Sequence, residues 1–160
     1  MWIPFNDLSL DSRIWLFQSD RLLSESVRKD IDQKMKSFIG QWSTHGKLMQ
    51  GSHTIVYDCF VIVAADEQKQ LASGCSIDSV TALFKDFGHK YQLSFFDRFS
   101  IAFKANNNVR LMKLDRFKLA LDFGELSGES TVFNHLISSK ADLLSSWEIA
   151  VKDSWLKRYL

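Results

Sequence analysis

The sequence predicts an α+β fold, a single domain over residues 1–160, with a mixed or antiparallel sheet of four to six strands and helices mainly on one face. The order of elements is compatible with a ferredoxin-like elaboration. Three observations lead there. Val27, Ile31, Met35, Phe38 and Trp42 recur at helical spacing, with charged residues between them, and so mark an amphipathic helix. His53 to Ala65 is apolar at alternating positions on both faces, as in a strand covered on two sides. Phe99 to Lys104 and Val109 to Leu114 are strand-like runs joined by Asn106-Asn-Asn108, residues that tolerate positive φ and suit a hairpin. A three-layer α/β sheet is the alternative, favoured if His53 to Ala65 is buried on both faces.

In chain order, Arg13 to Gln18 reads as a first strand, bounded by Asp11-Ser12 and Ser19-Asp20. Ser24 is the natural N-cap of the helix that follows. Gly40 inside that helix costs about 1 kcal/mol relative to alanine, which implies fraying or a close backbone approach. The His53 to Ala65 run is longer than a common strand, so a bulge or hairpin is expected at Tyr57-Asp58. Ile77, Val80, Leu83, Phe84 and Phe87 form a second apolar helix face, with Ser76 as N-cap, Asp78 in the first turn and Gly88 as a left-handed end. Asp115 caps a short helix ending at Gly124, with Leu114 stapled to Leu119. Thr131 to Phe133 is a short strand and Ser139 to Trp147 a last helix. The tail is expected to dock through Trp155 and Tyr159.

Composition narrows the function classes. A net charge of +1 with interleaved signs gives no positive field, so nucleic acid is not an expected partner. The longest apolar run, Cys59 to Ala65, is too short to span a bilayer, and Met1 to Ser12 has neither the basic start nor the apolar core of a signal peptide. These features predict a cytoplasmic protein with reduced thiols and no membrane partner. The four histidines, His45, His53, His89 and His135, have no metal-ligand spacing, so neither metal nor cofactor is expected.

Ser73-Gly-Cys-Ser-Ile-Asp-Ser79 is the stretch with chemistry in it. A thiol just outside a helix N-terminus meets partial positive charge, which favours the thiolate. Cys75 is therefore the candidate nucleophile, His45 in Trp42-Ser-Thr-His-Gly46 the candidate base and Asp78 the candidate orienting acid. Ser73, Ser76 and Arg98 are candidate ligand-binding residues. Arg98, in Phe95-Phe-Asp-Arg98, has the bidentate fork of an anion clamp. The commoner readings of these residues are a small buried cysteine behind a capped helix and a surface histidine at a helix end.

Three fragments sound like an ATPase: Gly40 to Lys47, Val61 to Glu67, and Leu126-Ser-Gly-Glu-Ser130. The first has one residue too many between its glycines, follows a helix, and carries Leu48 where a hydroxyl must ligate magnesium. The last follows the acidic strand instead of preceding it. A phosphate cradle requires that spacing, so nucleotide binding is the weakest reading.

Met1-Trp-Ile-Pro-Phe5, Ser12-Arg-Ile-Trp15, Trp42 with His45-Gly46, Ser73 to Ser79, Phe96-Asp-Arg98 and Ser154-Trp-Leu-Lys-Arg158 together resemble a family of small uncharacterised bacterial proteins commonly labelled "ABC transporter ATPase". The resemblance spans nearly the whole chain. It implies a single cytosolic domain and no particular activity, substrate or catalytic residue. Leu156 stands where the resemblance leads one to expect a histidine, which weakens any scheme in which the tail supplies a base. The function expected is a binding or interaction module for an unknown small molecule or protein, with its site near Cys75. A cysteine-dependent enzyme using Cys75 and His45 comes second, and a nucleotide-binding protein a distant third.

Overall fold

The computed structural model describes all 160 residues. The α+β class with antiparallel pairing is observed, and the strands are divided between two open sheets and a small hairpin. The chain packs as two compact units, residues 1–96 with 138–141, and residues 97–137 with 142–160.

In the first unit the strands are β1 (Arg13–Gln18), β4 (Gln50–Val56) and β5 (Phe60–Asp66), in the order β1-β5-β4. The expected break in the long apolar run is a hairpin, with Tyr57 and Asp58 at φ 54° and 57°. Neither is glycine, which is why the run looks continuous in sequence. Every residue from Phe60 to Ala65 is buried, so β5 is covered on both faces although its neighbours are antiparallel. The two-sided pattern therefore marks a central strand and not a parallel sheet.

One face of this sheet carries Trp15, Phe17, Ile55, Val61, Val63 and Ala65, and on it lie two helices, α1 (Glu25–Gln41) and α2 (Gly74–Tyr91). α1 begins as predicted, with the Ser24 hydroxyl accepting from the Val27 N–H, and buries Ile31, Met35 and Ile39. α2 buries Val80, Phe84 and Phe87, and Phe84 stacks on Phe17 with ring centroids 3.7 Å apart. Between α1 and β4 the chain makes a tight hairpin, β2 (Ser43–Thr44) and β3 (Lys47–Leu48), turning at His45-Gly46 with φ 49° and 75°.

Gly51 decides how close α1 comes. A Cβ there would lie 2.9 Å from the Ala64 carbonyl oxygen, 3.2 Å from Ile39 and 3.4 Å from Trp42. Gly51→Ala is expected to destabilise by about 1–3 kcal/mol, the scale of overpacking against backbone, and to shift the Trp42 indole signal. An unchanged denaturation midpoint would show that the β5 backbone and α1 both give way without cost. Gly40, by contrast, has nothing within 4 Å of its Cβ position, so of the two readings of that glycine the close approach is wrong.

Residues 138–141 return to the first unit and pair with residues 10–14. The Ile14 N–H donates to Ser138, the Lys140 N–H to Ser12 and the Ala141 N–H to Leu10. Lys140, 6% exposed, sends its ammonium to the carbonyls of Phe5, Asn6 and Leu8 at 2.9, 3.0 and 2.7 Å. It thereby caps the 3-10 turn Phe5–Asp7.

The second unit is built on β6 (Ser100–Ala105), β7 (Asn108–Lys113), β8 (Thr131–Phe133) and β9 (Glu148–Ala150), in the order β7-β6-β8-β9, all antiparallel. The predicted hairpin is present, with Asn106 at φ 58°. α3 (Leu114–Asp122) packs Leu114 and Phe117 against Ile101, Phe103 and Val132. Its cap is Lys113, with no side-chain bond, so Asp115 lies inside the first turn and not at the cap. Leu119 is exposed, so the expected staple is not formed.

The last predicted helix is shorter than expected: α4 (Lys140–Ser145) stops because Glu148–Ala150 pairs with β8 as β9. The tail docks, through Tyr159 as expected but with Leu156 in place of Trp155. Leu156 is 2% exposed and packs in the core with Val151 and Phe117, while Trp155 stays half exposed. Leu156→Ala should cost about 2–4 kcal/mol and Trp155→Ala much less. Equal midpoints for the two variants in chemical denaturation would contradict this docking.

Candidate functional site

The site is built from the ends of three elements of the first unit. Trp42 closes α1, and its indole Nε1–H donates to the Ser76 carbonyl at 3.0 Å, which ties the end of α1 to the first turn of α2. Trp15 meets the Trp42 ring edge-on at 5.8 Å, and Phe38 lies 6.0 Å from it. Gly51 leaves room for this packing. The β2–β3 hairpin follows directly from Trp42 and carries His45 at its turn.

α2 starts earlier than the sequence suggested. Ser73, not Ser76, is the N-cap: its hydroxyl accepts from the Ser76 N–H at 3.1 Å, and the Ser76 hydroxyl accepts from the Ser73 N–H at 2.8 Å. Two serines three residues apart can satisfy each other in this reciprocal way, which a cap at Ser76 alone could not. Cys75 is thus the second residue of the helix, inside its first turn. At the far end Gly88 stays within the helix and Gln92 takes the left-handed conformation, φ 53°.

Between the α1 face, the hairpin and the start of α2 lies a pocket of about 910 Å³. Its walls include Cys75, His45, Ser73 and Ser76, so four of the six sequence candidates meet there. Asp78 is exposed and does not line it, so the proposed Cys-His-Asp set is not assembled. Arg98 belongs to the second unit and is not among the lining residues. Sequence reasoning missed Lys34, Phe38, Thr44 and Leu83. Lys34 and Phe38 share one turn of α1, and Lys34 reads in sequence as an ordinary solvent-face charge.

Cys75 is an exposed free thiol. Cys59 is free as well but buried, and burial, with the nearby Asp58 charge, pushes its thiol up to about 12. No three His, Cys, Asp or Glu side chains gather as a metal centre, and no helix is long and apolar enough to cross a membrane. The Gly40 to Lys47 run is a helix end followed by a hairpin, without the strand-loop-helix geometry of a phosphate loop.

A second polar constellation lies on the far side of α1. The His53 ring is buried on β4; the Trp2 indole Nε1–H donates to its Nδ1 at 3.2 Å, so Nε2 carries the proton and donates to Asp32 Oδ1 at 2.9 Å. Lys36 also donates to Asp32 and lies over the Trp2 ring. Burial lowers the His53 pKa, and the Asp32 hydrogen bond only partly opposes it. The unfolded imidazole binds a proton near 6.5, and the folded one only at lower pH. Stability from this group is therefore complete above about pH 6.5 and falls as pH drops toward the folded value. Protonation at Nδ1 also removes the acceptor for Trp2. A histidine-resolved NMR titration is expected to give His53 a midpoint below 6.5; a higher one would mean that the Asp32 pair outweighs burial.

Comparison with protein-family models, with curated proteins and with solved structures finds no match to this chain.

Proposed function

We propose that this chain is a small-molecule-binding module whose ligand occupies the pocket at the start of α2. The observation that carries the reading is the pocket itself. Its volume, about 910 Å³, suits a small organic ligand, and it combines an apolar wall of Phe38, Trp42 and Leu83 with convergent polar groups from Ser73, Ser76 and Thr44. A concave site favours a small molecule over a flat protein partner. The reading includes action in a reducing, cytoplasmic setting, consistent with two free thiols, and membership of the small-protein family that the motifs resemble. The test is a fragment screen by amide NMR. Saturable shifts confined to residues 34–45 and 73–83 are expected, and a screen with no saturable shift in those segments would sink the proposal.

A second reading, cysteine-dependent catalysis, is favoured by Cys75 and His45 lining the same pocket. It requires the imidazole to reach the thiol. If it holds, His45→Ala changes the pH profile of Cys75 alkylation; an identical profile removes His45 as a base.

A further inference from the structure

We propose that residues 1–3 are an acid-released strand, held on the edge of β4 by the neutral His53 ring and let go when that ring takes a second proton. Trp2 pairs with Gly51 in parallel register. The Ile3 N–H donates to the Gly51 carbonyl and the Gly51 N–H to the Met1 carbonyl, each at 3.0 Å. Two backbone bonds are a short hold, and the Trp2 side chain completes it. Its ring packs against the core of the first unit, the Lys36 ammonium lies 5.4 Å from the ring centre, and its Nε1–H donates to His53 Nδ1 at 3.2 Å.

This contact works in one protonation state only. An indole has a donor and no acceptor, so it meets His53 only while Nδ1 is bare. Nε2 already donates to Asp32 at 2.9 Å, which leaves Nδ1 as the place for a second proton. Two N–H groups then face each other, and Trp2 cannot reverse its role as a hydroxyl would. The His53 side chain is 1% exposed, so the imidazolium reaches water only when its cover moves. The charged groups acting on the ring both come from α1: Asp32 favours the charged form and Lys36 disfavours it. From β5 the ring is faced by Val63, its register partner, with Val61 and Ala65 on the same apolar face. On the N-terminal segment Trp2 is uncharged, and the Met1 amine is held by the carbonyls of Ile39 and Met49. The Asp32 bond runs through Nε2 and does not depend on a seated Trp2. What differs between the two states is the Trp2 contact and the burial, and both oppose the proton. The released state therefore binds it more tightly, and acid shifts the population that way.

The test is hydrogen exchange by NMR on the full chain at about pH 7.5 and about pH 5, a range that brackets the ordinary histidine value. Rates are expressed as protection factors, so that the intrinsic pH dependence of exchange cancels. Uptake of one proton changes an equilibrium by at most about tenfold per pH unit. Protection of the Ile3 and Gly51 amides is expected to fall about tenfold between the two conditions, the scale of one linked proton, and the Trp2 indole N–H should lose protection with them. The Val63 amide, in the central strand of the same sheet, should hold. In His53→Gln the side-chain amide can accept from Trp2 and donate to Asp32 without titrating, so no such fall is expected. Unchanged protection in the parent would mean that the strand stays seated on a charged ring, and would overturn the proposal. So would a Val63 amide that falls with the other two, since acid would then be loosening the whole sheet. A fall of the same size in His53→Gln would overturn it as well, because the proton would be acting elsewhere.

Discussion

Lys140→Met is expected to lower the stability of the protein by about 2–4 kcal/mol, the scale of leaving several buried acceptors unpaired. The Lys140 ammonium holds the carbonyls of Phe5, Asn6 and Leu8 and is nearly closed off from solvent. Methionine keeps the length and apolar stem of the side chain and removes only the donor, so packing loss contributes little. Lys140→Arg should recover only part of the loss, because a planar fork does not match three carbonyls arranged around a point charge. Chemical denaturation of the three proteins is the measurement. A methionine variant as stable as the parent would show that water replaces the ammonium without penalty.

Native-state alkylation should separate the two thiols by more than about a hundredfold. Cys59 is fully buried at the end of the turn between β4 and β5, and with its thiol pushed up to about 12 only about one molecule in 10⁴ carries the thiolate at pH 8. Cys75 is exposed in the first turn of α2. Iodoacetamide should therefore modify Cys75 in the folded protein and reach Cys59 only through unfolding, so that added urea accelerates Cys59 alone. Equal rates in the native state would place Cys75 in the core and remove the open pocket.

What was legible in the sequence was local. The Ser24 cap and the Val27-Ile31-Met35-Phe38-Trp42 stripe fix α1 because capping and 3.6-residue periodicity are both written within one turn of the residues concerned. The Asn106 turn was legible for the same reason. The start of α2 was misplaced by three residues because Ser73 and Ser76 are the same residue type, and only their reciprocal bonding decides between them. The turn between β4 and β5 was only half legible, since Tyr57 and Asp58 adopt positive φ without glycine. At the site, Cys75 and His45 were legible as residue types that do chemistry. Their meeting in one pocket depends on the Trp42 bond to the Ser76 carbonyl, a long-range contact that leaves no periodic trace. Lys34 and Thr44 were invisible, because a helix lysine and a hairpin-strand threonine look the same whether they face water or a cavity. Lys140 was hidden likewise, in a helix whose length was overestimated.

The return of residues 138–141 to the first unit bears on the order in which the chain can fold. The Lys140 bond to Phe5 spans 135 residues, and closing a loop of that length costs about 4 kcal/mol in chain entropy before any contact rewards it. Such a contact raises the sequence separation over which the native state must be searched and is expected to form late. During synthesis from the N-terminus, α1, α2 and the β1-β5-β4 sheet all emerge before residue 138 does. Until then the Leu10 and Ser12 carbonyls and the Ile14 N–H have no strand beside them. Folding of the first unit therefore finishes by a long-range closure, and a chain arrested before residue 138 presents an open strand edge with which a second copy can pair.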